Sequence, residues 1–153
     1  MAAPSTASAP DPMRCRGRDA DTGGVHILII DDHAGVRSLI RELLTDSFPS
    51  TPTRPVTVGE SGSGEEALAG LDRALPDLVT VDLRMPGMNG LECVERLRER
   101  VPLACIVVVT QFGSDSLRAR ALRAGADSVV LKDDLDQLPL VTRGYLQHKV
   151  RAR

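Results

Sequence analysis

The stretch DLVTVD, Asp77–Asp82, followed through Leu83 by the turn-rich RMPGMNG of Arg84–Gly90, decides the architecture. Four apolar or β-branched residues between two aspartates read as a short strand covered on both faces, since a half-wet strand would alternate. Pro86, Gly87, Asn89 and Gly90 then break the run, and Leu91, Val94, Leu97 and Val101 return at helical spacing.

The same strand-then-helix unit recurs in both directions. Upstream, VHILII (Val25–Ile30) is a strand, and Val36, Leu39, Ile40, Leu43 and Leu44 predict a helix closed by Phe48-Pro49. After the proline-rich loop Pro49–Pro55 comes a short strand, Val56–Val58. The capping box Ser63-Gly64-Glu65-Glu66 then opens a helix bearing Ala67, Leu68, Leu71 and Leu75, which Pro76 ends. Downstream lie a strand LACIVVVT, a helix around Leu117–Ala124, a strand SVVL at Ser128–Leu131, and a last segment from Asp134 to about Lys149. Pro139 and Gly144 are poor in a helix interior, so that last helix is expected to start at Pro139 or to be distorted. Strands alternating with helices demand right-handed crossovers and a parallel sheet. Five units are too few for a closed eight-unit barrel. The fold expected is α/β: a doubly wound, three-layer open sheet of five parallel strands, (βα)5.

Composition sets the outer limits. A chain of 153 residues, 42% hydrophobic and 26% charged, has the material for one domain with one core. We place that domain at residues 25–149, after an arm at 1–24 read as disordered and before a short tail at 150–153. The arm lacks the apolar stretch of a secretory signal, and no run approaches the roughly 18–20 apolar residues that cross a bilayer. Nineteen basic against twenty-one acidic residues leave a charge of −2, which offers no sequence-independent grip on nucleic acid. Cys15, Cys93 and Cys105 are odd in number and lack metal-ligand spacing; the last two read as small core residues, and a cytoplasmic setting is expected.

In an open α/β sheet the ligand site lies beyond the carboxyl ends of the strands. Those ends carry Asp31-Asp32, Asp82, Thr110 and Lys132. Any one of them alone is an ordinary polar strand end, but together they form a pattern. Converging carboxylates repel: two unit charges about 4 Å apart cost roughly 4 kcal/mol at an effective dielectric near 20. Lys132 supplies one compensating charge, in a chain with seventeen arginines and only two lysines. A hard divalent cation supplies more, with Mg²⁺ favoured because few carboxylates leave room for its waters and a phosphate. The first β–α turn, DDHAG, has neither GxGxxG nor GxxxxGK[ST], which disfavours a nucleotide site and leaves phosphoryl chemistry of another kind.

The ordered pieces ILIIDDHAGVR, DLVTVDLRMPGMNGLE, IVVVT and AGADSVVLKDD resemble the motifs of a response-regulator receiver domain, with the CheY-like, flavodoxin-like fold of two-component signalling. The resemblance covers about Val25–Lys149, and the Lys132-Asp133 pair is similar to receivers of the NarL/FixJ group. It implies that Asp82 accepts the phosphoryl group and that Asp31, Asp32, Asp82 and the carbonyl of Arg84 hold Mg²⁺. Lys132 would bind the phosphoryl oxygens, and Thr110 would be the switch hydroxyl. The implied donor is a histidine kinase or histidine phosphotransfer protein, and the implied output is binding of a downstream protein target, with a homodimer left open.

Three departures from that pattern matter. Val129 stands where an aromatic switch residue is expected, three before the lysine. Gln111 and Phe112 follow Thr110 where a small residue is common, and with Arg84 they are expected to flank and shield the acceptor. Pro139 and Gly144 put the usual dimerisation surface in doubt. The leading reading is a single-domain response regulator that catalyses only its own phosphotransfer and dephosphorylation and does not bind DNA directly. The alternatives are the receiver portion of a longer DNA-binding regulator, an aspartyl-phosphate phosphohydrolase, and a pseudo-receiver. Asp82-Leu83-Arg84 breaks the DxD that a phosphohydrolase expects, and the complete Asp, Thr and Lys set weighs against a pseudo-receiver.

Overall fold

The computed structural model describes the backbone of residues 24–152 and the side chains of residues 24–145. Nearly all of the expected N-terminal arm, Cys15 included, lies outside the described residues. The strands are β1 (Val25–Ile30), β2 (Val56–Ser61), β3 (Leu78–Val81), β4 (Cys105–Thr110) and β5 (Ser128–Leu131). The helices are α1 (Ala34–Ser47), α2 (Gly64–Gly70), α3 (Gly90–Arg100), α4 (Asp115–Ala124) and α5 (Leu138–Ala152), with a 3-10 turn over Lys132–Gln137 before the last. All pairings in the sheet are parallel, and the strand order is β2-β1-β3-β4-β5.

The absence of alternation in β1, β3 and β4 is explained by cover on both sides. Leu28, Ile30, Val79, Val81, Ile106, Val108 and Val129 face Ala67, Leu68, Val94, Leu97 and Ala121 of α2, α3 and α4. The alternate residues Ile27, Ile29, Leu78, Val107, Val109 and Val130 face Ile40 and Leu44 of α1 and Leu138 of α5. Cys93 and Cys105 are buried within these clusters, and burial pushes the Cys93 thiol up to about 12, so it is a packing residue and not a nucleophile.

Several boundaries differ from expectation for local reasons. Strand β2 runs to Ser61, because it pairs with β1 along its whole length, from Val25↔Val56 to Ile30↔Ser61. Thr57 and Glu60 are exposed on this edge strand, and their polarity hid its second half. Helix α2 stops at Gly70, well before Pro76, and Leu71 enters the core as its C-cap; glycine is a weak place to continue a helix. Leu39 is 45% exposed and Leu103 54%, so neither belongs to the core that their neighbours form. Pro139 sits in the first turn of α5, where its missing N–H costs nothing. Gly144 lies in that helix with open space around it.

The segments entering β4 and β5 are tied together by one side chain. Arg98 of α3 donates to the carbonyls of Gly125, Pro102 and Ala104 and pairs with Asp127 at 2.8 Å. Asp127 also accepts from the N–H of Ile106 at 2.8 Å, and its carbonyl accepts from Tyr145 of α5 at 2.8 Å. Tyr145 thus belongs to the edge opposite the carboxylates. Arg98→Ala should cost about 2–3 kcal/mol in urea unfolding, because several carbonyls lose a charged donor together. Arg98→Lys should recover little, since an ammonium cannot span that fork of acceptors. A loss under 0.5 kcal/mol would contradict the clamp.

Candidate functional site at the carboxyl edge of the sheet

Strand order reverses at β1, whose chain leaves toward β2 on one side while β3 pairs on the other; the crevice of a doubly wound sheet opens at such a point. Register does the rest. Ile30 is paired with Val81 and Val81 with Val108, while Thr110 is paired with Leu131. The residues following these, Asp31, Asp82 and Lys132, must therefore emerge side by side. The N–H of Asp82 donates to the Ile30 carbonyl at 3.0 Å and that of Asp31 to the Ser61 carbonyl at 3.1 Å, so both aspartates are held by sheet-like bonds before their side chains turn outward.

Asp31, Asp32 and Asp82 each offer a carboxylate oxygen within 4.8 Å of the others. Asp31 and Asp82 are buried and Asp32 is exposed. Lys132 Nζ stands 3.1 Å from Asp31 and 3.3 Å from Asp82, bridging the two buried carboxylates. Burial pushes the Asp82 carboxyl above its ordinary value and the Asp31 charge adds to this, against the lowering pull of Lys132 and the Arg84 N–H. For Lys132, burial pulls the ammonium down, but the Asp31 hydrogen bond and the charges of Asp82 and Asp31 outweigh it and hold it above its usual value. One ammonium does not neutralise three carboxylates. Beyond the ion pair with Lys132, the buried Oδ2 of Asp31 has no hydrogen-bond donor. Clustered oxygen donors, surplus negative charge and an under-used buried carboxylate oxygen fit a hard divalent cation such as Mg²⁺.

Two loops close over this cluster. The N–H of Arg84 donates to Asp82 Oδ1 at 3.3 Å, so the residue two positions on orients the carboxylate through its backbone. Its guanidinium carbon stands 4.0 Å over the ring of Phe112, and the two expected flanks of the site meet each other. Thr110 is buried. Its hydroxyl donates to the Phe112 carbonyl at 3.4 Å and accepts from the Phe112 N–H at 3.3 Å, so it is bonded to its own loop. Val129 is buried opposite Val108 in the apolar core, and no ring stands at that position.

Supporting residues escaped sequence reasoning. Arg37 donates to the Asp31 carbonyl at 2.6 Å and is itself held by Glu60 of β2 at 3.3 Å. Only the β1–β2 register, which sets Ile29 beside Glu60, could have revealed that pairing. The backbone N–H of His33 donates to Asp31 Oδ1 at 2.8 Å, and its ring accepts from the Val36 N–H to cap α1. Glu65, read as part of a capping box, accepts from the Met88 N–H at 2.7 Å and so steadies the loop after Asp82. Its own backbone N–H and that of Met88 hold its carboxyl below the ordinary value. Ser63 caps α2 as expected.

An open parallel sheet carrying a carboxylate cluster and a lysine, with a hydroxyl ending the neighbouring strand, defines an α/β domain whose carboxyl edge is built for a cation and an anionic group. The family model of the response regulator receiver domain matches residues 27–142, and the chain belongs to that family. It is a receiver domain of the kind found in two-component response regulators. It is 38% identical over 107 residues to the nitrate/nitrite response regulator protein NarL of Escherichia coli, covering 70% of this chain and 47% of that protein. It is 37% identical over 108 residues to the response regulator protein VraR of Staphylococcus aureus, covering 71% and 49%. The chain therefore spans about half the length of these relatives. A CheY-like receiver domain from Methanospirillum hungatei superimposes with a TM-score of 0.73 at 22% identity, over 84% of this chain and 98% of that one, and shares the fold.

Proposed function

We propose that Asp82 is the phosphoacceptor of this receiver. The observation that carries the reading is the bridging of Asp82 and Asp31 by Lys132, at 3.3 and 3.1 Å, beside a third carboxylate at the strand-order reversal. A carboxylate oxygen of Asp82 forms the new bond to phosphorus as the P–N bond of a phosphohistidine breaks, and no separate base is needed because the nucleophile is already ionised. Lys132 offers its ammonium to the equatorial oxygens, where charge spreads in a loose transition state. Asp31, Asp32, Asp82 and the Arg84 carbonyl are the groups that would hold Mg²⁺, which when bound neutralises phosphoryl charge. Thr110, at the carboxyl end of β4, is the hydroxyl that would turn to the new oxygens.

The donor is a histidine kinase or histidine phosphotransfer protein, and the output is phosphorylation-dependent binding of a protein target in the cytoplasm. On this reading the chain catalyses only its own phosphotransfer and dephosphorylation and makes no direct contact with DNA. A second reading, the receiver portion of a longer DNA-binding regulator, is favoured by one observation: the match spans only about half of each relative. Among the described residues no helix is long and apolar enough to cross a membrane.

The cation assignment predicts that millimolar Mg²⁺ shifts the NMR signals of Asp31, Asp32, Asp82 and Arg84, and that acetyl phosphate adds the phosphoryl mass only when the ion is present. Unmoved signals at all three aspartates would remove the metal assignment. Phosphorylation at full rate in excess chelator would do the same.

A further inference from the structure

The hydroxyl of Thr110 has one proton, and Phe112 holds it. Both bonds between this hydroxyl and the Phe112 backbone are long, 3.4 and 3.3 Å. A phosphoryl group on Asp82 would present ionised acceptors, whose hydrogen bonds are shorter and roughly twice as strong as neutral ones. The Phe112 carbonyl and the phosphoryl oxygens therefore compete for one donor, and the carbonyl is the weaker acceptor.

Phe112 is also the residue whose ring is engaged from above. It is 47% exposed, and Arg84, whose N–H holds Asp82, stacks its guanidinium on that ring at 4.0 Å. On the other side, Gly113 lies so close to the Leu131 side chain that a Cβ there would collide with it. Leu131 is the neighbour of Lys132. The loop Gln111–Gly113 is thus seated between the residue two after Asp82 and the residue before Lys132, with the Thr110 hydroxyl as its internal tie.

We propose that Phe112 is the positioning residue of the switch in this receiver: stacked beneath Arg84, it keeps the Thr110 hydroxyl on its own loop, and it is released when that hydroxyl turns to a phosphoryl group on Asp82. The inference rests on Asp82 being the phosphoacceptor. It gives the exposed ring a function that the buried Val129 cannot supply. An exposed cation–π pair of this kind shifts a two-state equilibrium by about two- to fivefold.

The experiment uses the full chain and beryllofluoride with Mg²⁺ as a phosphoryl mimic whose equilibrium does not depend on hydrolysis. The Phe112 amide and ring signals should shift together with the amides of Asp82 and Leu83. In Thr110→Val the signals at Asp82 and Leu83 should still move while those of Phe112 stay. Phe112→Leu, which keeps apolar bulk at an exposed position, should bind the mimic about two- to fivefold more tightly, and Phe112→Tyr should restore wild-type binding. Phe112 signals that stay fixed while Asp82 and Leu83 shift would overturn the proposal. So would wild-type affinity in Phe112→Leu. If wild-type protein acquires no phosphoryl mass from acetyl phosphate and Asp82 does not shift, the phosphoacceptor reading itself fails and takes this proposal with it.

Discussion

Asp82→Asn is expected to abolish the phosphoryl mass increment that acetyl phosphate and Mg²⁺ produce in the wild type. The amide keeps the size of the side chain but has no anionic oxygen to attack phosphorus. Lys132→Ala removes charge stabilisation and leaves the nucleophile, so it should slow labelling without eliminating it. An increment that persists in Asp82→Asn would place the acceptor elsewhere. The pH dependence follows from the environment of the same group. Burial and the Asp31 charge raise the Asp82 carboxyl above its ordinary value, so labelling should fall as pH drops through that raised value, where the nucleophile takes up its proton.

Stability runs the other way. A carboxyl raised on folding binds its proton more tightly in the native state than in the unfolded chain. Its ionised form therefore costs stability at neutral pH, and the cost is relieved as pH falls through the folded value to below the unfolded one. Asp82→Asn should accordingly raise the Tm at neutral pH, by a margin that shrinks in acid. A Tm that falls at pH 7 would show that Lys132 more than compensates the buried charge.

Gly90→Ala should be strongly destabilising. Gly90 is the first residue of α3, and a Cβ there would clash with the Asp82 carbonyl oxygen and the Leu83 Cα, which are backbone atoms that cannot swing aside. Its N–H donates to the Leu83 carbonyl at 3.1 Å, so the contact cannot simply open. We expect a loss of about 3 kcal/mol in urea unfolding, at the upper end of ordinary overpacking. Acetyl phosphate labelling should fall in parallel, because the displaced backbone is that of the acceptor. Gly144→Ala makes the opposite case with the same chemistry. It lies within α5 with nothing near its missing Cβ, and it should gain up to about 1 kcal/mol. Equal melting temperatures for the two variants would refute the close approach at Gly90.

The period of the apolar residues was sufficient for the fold. Runs such as VHILII and CIVVVT are long enough and free enough of alternation to require cover on both faces, and that cover in turn requires helices between parallel strands. The carboxyl-end rule then points to Asp31, Asp32, Asp82, Thr110 and Lys132, because a strand's last apolar residue marks where its chain leaves the sheet. Boundaries were less legible where local preference is weak. Glu60 in the edge strand and Gly70 in α2 carry opposite local signals from those their neighbours carry, and pairing with β1 or the end of a helical turn decided each case.

Hydrophobic spacing along the chain therefore set the order of elements and the identity of the polar groups at one edge. Tertiary structure alone decided which of those groups touch. Arg37 reaches Asp31 only because β2 pairs with β1 and brings Glu60 to hold it. Arg84 meets Phe112, 28 positions later in the chain, only because β3 and β4 are neighbours in register. The Thr110 hydroxyl bonds to the backbone of Phe112, a local pairing that no spacing encodes. The physical reason is one of range: burial of apolar side chains is written residue by residue, whereas a hydrogen bond or a stacked cation depends on ångström-scale distances that exist only after separate strands have been brought together.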